Sequence, residues 1–274
     1  MRLLPEGFFS LGVPALERCL QSDSEWISVD EIGYLESGSP AYQNSLRRLM
    51  QTKRLIAVVR KQEVSFLQEL CLRSDAFVMD LDAPYGNIGC VIMASGLGRR
   101  FGSNKLMADF HGTPLITRVL DATEGIFAHR VVVTRHTDIA ALCRSRAIDV
   151  VLHDLPHRSD TVRLGLEALG GDIDSCMFCS ADQPLLRKDT VASIAMAAAH
   201  SKCTIWRTAW GSAVGNPVLF PKWMFPELLT LPEGLGGSYL TKKYPEQVRT
   251  VPARDMYELQ DADTPEDLAV LLEQ

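Results

Sequence analysis

The residues best suited to chemistry lie in one stretch, Ile88-Gly-Cys-Val-Ile-Met-Ala-Ser-Gly-Leu-Gly-Arg-Arg-Phe-Gly-Ser-Asn-Lys-Leu106. Gly96, Gly98 and Gly102 punctuate a loop that also carries Arg99, Arg100 and Lys105. Glycines let the main chain approach a ligand closely and turn successive N–H groups toward it. Three cations in one loop make that ligand an anion, most simply a phosphate chain. Two familiar phosphate loops are excluded by spacing. A P-loop carries its lysine directly after the last glycine, whereas Lys105 lies three residues beyond Gly102. The dinucleotide fingerprint reads G-x-G-x-x-G, whereas this loop reads G-x-G-x-x-x-G and holds two arginines.

Acidic residues appear at two further points. Asp182 ends the apolar run Cys176–Ala181, which places it at the C-terminal end of a strand, where open α/β sheets bind ligands. Thr264-Pro-Glu-Asp267 is a complete helix start, with a capping hydroxyl, proline in the first turn and acids after it. That account leaves Asp261 and Asp263 unexplained. Ser159, Asp160 and Thr161 open another helix, with the cap at Ser159 or Asp160. Such residues serve equally as caps and as ligand contacts. Cys176 and Cys179 form C-x-x-C, but their odd spacing in a strand puts them on opposite faces. No second pair completes a zinc site, so both read as buried strand cysteines.

Five of these segments follow one another in the order of a known family. Ala94-Ser-Gly-Leu-Gly-Arg-Arg-Phe-Gly-Ser-Asn-Lys-Leu106 with Gly112-Thr-Pro-Leu115, the turn at Ser159–Thr161, Ala181-Asp-Gln-Pro-Leu185, Gly215-Asn-Pro-Val-Leu-Phe220 and Asp261-Ala-Asp-Thr-Pro-Glu-Asp-Leu268 resemble the MobA/MocA-like nucleotidyltransferases of the molybdenum cofactor. The resemblance covers nearly all of residues 88–274. Phe101, Gly98 and Ala181 depart from the family's usual methionine, serine and glycine without removing a charge. The resemblance implies a Rossmann-like, glycosyltransferase-A-like nucleotidyltransferase domain with a mostly parallel sheet. It implies nucleotide binding by Ala94, Ser95, Gly96, Gly98, Arg100, Lys105, Ser159, Asp160 and Thr161, with Arg100, Lys105 and Asp182 catalytic. Magnesium would be held by Asp182 and Asp263, and less directly by Asp261. The Asp-Gln-Pro string favours CTP as the nucleotide over GTP. Molybdenum-bearing molybdopterin is the implied acceptor, with guanylyl transfer or another phosphorylated acceptor as alternatives. A non-catalytic accessory protein serving a molybdenum hydroxylase apoenzyme is a further alternative.

The elements that must position these groups divide into two domains. Residues 1–82 alternate helices (Val13–Leu20, Tyr42–Met50, Val64–Leu72) with strands (Trp26–Asp30, Leu55–Val59, Ala76–Asp80), the pattern of a parallel α/β sheet. The first strand ends in Asp30-Glu31, a Walker-B-like arrangement, and Ile27–Glu36 resembles the small P-loop nucleoside triphosphatases of the THEP type. No Walker A loop occurs in the chain, so this segment looks like the back part of such a domain with no phosphate cradle. Residues 83–87, with Pro84 and Gly86, read as a linker. Residues 88–274 then give strands at Cys90–Ala94, His129–Thr134, Ile148–Leu152, Cys176–Ala181, Cys203–Trp206 and Gly215–Phe220. Helices are expected over Leu115–Thr123, Ile139–Arg146, Thr190–Ala199 and Ser238–Lys243, with Trp223 and Phe225 as core aromatics.

Composition bounds the remaining possibilities. The chain has 274 residues, is 46% hydrophobic and 23% charged, and has a net charge of −6, ordinary for a globular protein. Up to Asn87 there are 9 Lys+Arg against 12 Asp+Glu, and 19 against 22 after it; with no basic half, a nucleic-acid partner is not expected. No apolar run approaches the ~20 residues of a membrane helix. An N-terminus with Pro5 and Glu6 does not read as a signal peptide. Seven scattered cysteines read as reduced thiols of a cytoplasmic protein.

Overall fold

A computed structural model of the protein describes residues 7–98 and 100–274; Arg99, Pro5 and Glu6 lie outside the described residues. The chain divides into two compact units, Met1–Val78 and Met79–Gln274. The division falls just ahead of the Pro84–Gly86 punctuation. Tyr85 packs against the second unit's core, so residues 83–87 belong to that unit rather than hanging free between the two.

In the first unit the order is α1 (Val13–Gln21), β1 (Trp26–Ile32), α2 (Tyr34–Ser37), α3 (Pro40–Thr52), β2 (Arg54–Val59) and α4 (Ser65–Cys71). Helix α3 starts where Ser39 accepts a hydrogen bond from the Tyr42 N–H and Pro40 fills the first turn, a combination that preorganises a helix N-terminus. Strands β1 and β2 pair in parallel, Trp26 opposite Arg54 and Val29 opposite Ala57. One sheet face, with Ile27, Val29, Leu55, Ala57 and Val59, packs on Leu46, Leu49, Phe66 and Leu67. The strand expected over Ala76–Asp80 does not form. Among the described residues the sheet stays two-stranded; the segment pairs with neither of its edges, and Phe77 and Val78 are exposed. The strand expected to end at Asp30-Glu31 runs on to the buried Ile32, so both acids lie inside β1, with Glu31 paired to Arg60.

The second unit is built on β3 (Ile88–Ala94), a run of seven residues of which only Met93 is not fully buried. A hairpin, β4 (Asp109–Phe110) and β5 (Thr113–Pro114), follows. Its two turn residues, His111 and Gly112, both have positive φ, the geometry that matches strand twist in a two-residue hairpin. Then come α5 (Ile116–Ala122), β6 (His129–Thr134), α6 (Thr137–Ser145), β7 (Asp149–Leu152), α7 (Arg158–Leu169), β8 (Ser175–Ser180) and α8 (Lys188–His200). The chain ends with β9 (Ile205–Trp210), β10 (Ala213–Pro221), α9 (Phe225–Leu229), α10 (Gly237–Lys243), β11 (Val248–Pro252) and α11 (Pro265–Leu272).

Seven strands form one sheet in the order β11-β9-β10-β8-β3-β6-β7. Only β10 runs against its neighbours, pairing antiparallel with both β8 and β9. The expected mostly parallel α/β sheet is therefore present. Helices cover both faces, as parallel sheets require. Ile88, Cys90 and Ile92 face α5, α6, α8 and α11, whereas Val91, Phe178 and Phe220 face α7, α9 and α10. Cys176 and Cys179 fall into these two different clusters, as strand alternation demands. Gly165 lets α7 lie against the sheet, since a Cβ there would meet Val91 Cγ1 at 2.4 Å. Two readings need correction. Trp223 is exposed rather than core, because its indole N–H bonds the Cys203 carbonyl at the surface. The cap of α7 is His157, and Asp160 reaches back to accept from the His157 N–H, which moves the cap ahead of the expected Ser159 or Asp160. Among the described residues no helix is long and apolar enough to cross a membrane.

Candidate active site

The C-terminal ends of β3, β6 and β8 open into a cleft of about 430 Å³. The chain leaves β3 at Ala94, and Ser95 is tied down at once. Its hydroxyl donates to the Val133 carbonyl at 3.1 Å and meets His153 Nε2 at 2.8 Å. With that hydroxyl proton committed, His153 Nε2 acts as the donor. Its Nδ1 is then the bare nitrogen, and it is buried without a partner. Burial, with Arg135 nearby, holds the His153 imidazole below its ordinary pKa, so the ring is neutral. The Gly96 carbonyl contacts His136 Nε2 at 2.8 Å.

Gly98 has φ of 57°, and a Cβ on it would sit 2.6 Å from the Ser103 carbonyl. Only glycine fits there. Its carbonyl accepts from the Phe101 and Gly102 N–H groups, closing a tight turn. Asn104 then accepts from the Leu106 N–H and donates to both Asp138 oxygens, which fixes the loop's far end to α6. The loop is thus anchored at both ends, with its backbone drawn around the cleft.

Lys105 is delivered from this loop into the protein. Its Nζ lies 2.6 Å from Asp182 Oδ2 and 2.7 Å from Asp263 Oδ1. Arg100 reaches the other Asp263 oxygen at 2.6 Å. Asp182 is set by the end of β8, where the Ala181 N–H bonds the Met93 carbonyl and the Asp182 carbonyl accepts from the Ala262 N–H. That last bond ties the Asp261–Asp263 segment to the strand end. Thr264 and Asp267 cap α11 reciprocally, leaving Asp263 free to face the cleft. Three segments distant in sequence thereby place four charges together.

The charges perturb one another. Burial alone would lower the Lys105 ammonium, but Asp182 and then Asp263 outweigh it and hold its pKa above the ordinary value. The Lys105 hydrogen bond is the main cause of a lowered carboxyl pKa on Asp263. Asp261 behaves oppositely. Desolvation, followed by the charges of Asp182 and Asp263, pushes its carboxyl up to about 6, with Lys105 and Gln183 offsetting part of the effect. The residue as a whole is nonetheless exposed, so solvent screens much of this effect.

Of the residues singled out in the sequence, Ser95, Gly96, Gly98, Arg100, Lys105, Thr161, Asp182 and Asp263 line this one cleft. Ala94 is buried at the end of β3. Ser159 is buried in the first turn of α7, and Asp160 is occupied by its cap and by Arg163. Asp261 does not line the cleft, and among the described residues no three acidic, histidine or cysteine groups converge as a metal cluster. Sequence reasoning passed over Arg135, His153, His157 and Arg158. Arg135 follows β6 and His153 follows β7, so strand-end position was the available signal. Among the described lining residues, Arg100, Lys105, Arg135 and Arg158 outnumber Asp182 and Asp263. The cleft is locally cationic on a chain of net charge −6, a field that concentrates polyanions.

A family model for the MobA-like NTP transferase domain matches residues 90–248. The chain belongs to that family. A second model, for an NTPase domain, matches residues 3–84. The 3-deoxy-manno-octulosonate cytidylyltransferase of Neisseria gonorrhoeae (strain NCCP11945) is 33% identical over 91 residues, 32% of this chain and 36% of that protein. The probable molybdenum cofactor guanylyltransferase of Aquifex aeolicus (strain VF5) is 24% identical over 102 residues, 37% of this chain and 49% of that protein. The chain thus spans less than half the length of either relative. A solved nucleotidyl transferase from Methanothermobacter thermautotroptrophicus has the same fold, with a TM-score of 0.59 at 22% identity, covering 68% of this chain and 96% of that one.

Proposed function

We propose that this MobA-like protein transfers CMP from CTP to a phosphorylated acceptor, molybdenum-bearing molybdopterin, and releases pyrophosphate. The observation that carries the reading is the Lys105 ammonium held between Asp182 and Asp263 at the mouth of the glycine loop. In such a reaction an oxygen of the acceptor phosphate attacks the α-phosphorus, and the bond to the β-phosphate oxygen breaks. The protein's share is positioning and charge neutralisation, because phosphoryl transfer needs little covalent help.

Each part of the cleft has a place in that scheme. Loop N–H groups around Gly96 and Gly98 would cradle the triphosphate, and Arg100 and Lys105 would take up the charge that develops on departing pyrophosphate. The fit of a divalent cation is supported by the two carboxylate oxygens that already converge on a single cationic atom. Magnesium characteristically takes one or two protein carboxylates and completes its shell with substrate phosphates and water. When bound by Asp182 and Asp263 it would neutralise phosphate charge and orient the α-phosphate. Thr161 and the first turn of α7 border the cleft, where they suit the ribose or base. Cytidylyl rather than guanylyl transfer rests on the Asp182-Gln183-Pro184 string. The relative from Neisseria is named a cytidylyltransferase and the one from Aquifex a guanylyltransferase, so the choice of base is part of the test.

The test is thermal stability with CTP, GTP, ATP and dTTP, each with and without magnesium, followed by turnover with a panel of phosphorylated acceptors. A nucleotide at ~100 times its dissociation constant adds about 2.7 kcal/mol. A magnesium-dependent shift for CTP, with activity lost by 100-fold or more in Asp182→Asn, is the expected result. A shift for GTP alone would replace cytidylyl by guanylyl transfer. Undiminished function of Asp182→Asn in maturing a molybdenum hydroxylase would instead make the protein a non-catalytic accessory.

A further inference from the structure

Arg207 is a cation that the nucleotide site does not use. It lies on β9, opposite Val218 of β10, which in turn lies opposite Phe178 of β8. Ile205, Val218 and Phe178 share the core on one sheet face, and Arg207, two residues beyond Ile205, shares that face by strand alternation. Met93 and Ser180, which line the cleft, follow Val91 and Phe178 by the same two-residue step and therefore face the same way. Strand β9 runs parallel to β8, so Arg207 stands level with Phe178 and Val91, at mid-height of the sheet and two residues short of Ser180 toward its C-terminal end. Two strand spacings, about 10 Å, separate it laterally from β8.

Its guanidinium is poorly satisfied. The side chain is half-buried, and Nε is buried with no hydrogen-bond partner. Nη2 approaches the Gly215 carbonyl at 3.5 Å, the outer limit of a hydrogen bond. Among the described residues no carboxylate pairs with Arg207, whereas Lys105 in the same unit has two. Desolvation lowers its pKa, the mark of a charge removed from water without compensation. A guanidinium has five donors in a planar fork and characteristically takes an oxyanion. Toward the cleft, Asn216 of β10 donates from its amide to the Ser180 hydroxyl at 2.9 Å, which puts a polar pair above the apolar Val218 and Phe178 at Arg207's own level. On its other side, Thr250 of β11 is directly opposite and exposed.

We infer that Arg207 anchors an oxyanionic group of the acceptor, at the end remote from the attacking oxygen. The inference rests on the transferase reading above and adds a substrate class to it. The acceptor must carry two anionic ends, one that attacks beside Asp182 and one that pairs with Arg207. A phosphate or an oxo-metal head at the far end would each meet that requirement through the same oxyanion chemistry.

The experiment uses the full chain saturated with magnesium and a CTP analogue carrying a methylene bridge between the α- and β-phosphorus. Inorganic phosphate, and separately molybdate, are titrated into it by calorimetry. One saturable site is expected in the wild type, at least tenfold weaker in Arg207→Gln and largely restored in Arg207→Lys, with nucleotide-induced stabilisation the same in all three. Tighter binding of molybdate would assign the far end to an oxo-metal head, and tighter binding of phosphate to a phosphate. Equal oxyanion affinity in Arg207→Gln, no oxyanion site in the nucleotide-loaded wild type, or loss of nucleotide stabilisation in Arg207→Gln would each overturn the assignment. Absence of nucleotide binding in the wild type would instead defeat the transferase reading on which it rests.

Discussion

Replacing Lys105 by methionine separates two effects that an activity assay alone would merge. The ammonium is almost fully enclosed, with its side chain 9% exposed, while Asp182 is 21% and Asp263 35% exposed. Breaking a fully buried ion pair costs about 3–5 kcal/mol, and an exposed pair is worth about 0–1 kcal/mol. The partial exposure of both carboxylates puts Lys105→Met between these limits, at about 1–3 kcal/mol. For a unit of this size that is a fall in melting temperature of roughly 2–12 °C. The pH dependence fixes the source. Asp263 has a lowered folded-state pKa, so its stabilisation is present above the ordinary carboxylate pKa and is lost as pH falls through the folded value. Lys105 has a raised one, so its contribution is present below its ordinary value and is lost as pH rises through the folded one. The destabilisation is therefore greatest near neutrality and shrinks as pH falls through the lowered folded-state value of Asp263. The variant also leaves two carboxylates facing one vacated point. Manganese, added without nucleotide and followed by electron paramagnetic resonance, should bind at least tenfold more tightly than to the wild type, although turnover falls by 100-fold or more. Equal manganese affinity, or a stability difference that does not shrink on acidification, would refute this account of the cluster.

Three other outcomes follow from single positions. Asp261 carries a carboxyl raised to about 6, so between about pH 4 and 6 the native state holds a proton that the unfolded chain has lost, and stability falls as pH rises through that window. Its solvent exposure limits the effect to about 1 kcal/mol, and denaturant titrations of Asp261→Asn should lack this part of the slope. Gly98→Ala forces a left-handed alanine, at about 1–2 kcal/mol, and a Cβ against the Ser103 carbonyl; calorimetry should show weakened nucleotide binding, and unchanged affinity would mean that the turn does not shape the cradle. Gly165→Ala puts a methyl into Val91 and Val133, an overpacking that costs about 1–3 kcal/mol; chemical denaturation should register it while the loop from Ser95 to Lys105 keeps its contacts.

How much of this was legible beforehand depends on whether a feature is local. The strand β3, its glycine loop and the strand-end position of Asp182 are written in a few consecutive residues, because an apolar run and a break in it are properties of neighbours in sequence. The start of α11 was legible for the same reason. The partnership of Lys105 with Asp182 and Asp263 is a property of the sheet order. It exists because β8 lies beside β3 and because the Ala262 N–H bonds the Asp182 carbonyl, neither of which leaves a periodic signal. Arg135 and Arg158 escaped because a lone arginine after a strand or at a helix start looks like any solvated cation until the sheet brings its end to the cleft. The strand expected over Ala76–Asp80 failed for the converse reason. Phe77, Val78 and Met79 have strand-forming composition, but a strand is stabilised only by a neighbour's backbone, and in this unit β1 and β2 pair with each other alone. The same shortage explains the exposed Trp26, Ile56 and Val58, which point from one face of that parallel pair while the other face is packed. Asp30 and Glu31 lie within β1, two residues and one residue before its end at Ile32, and the sequence holds no glycine loop with a lysine directly following its last glycine. The residues that can take up phosphate charge are the cations lining the cleft of the second unit.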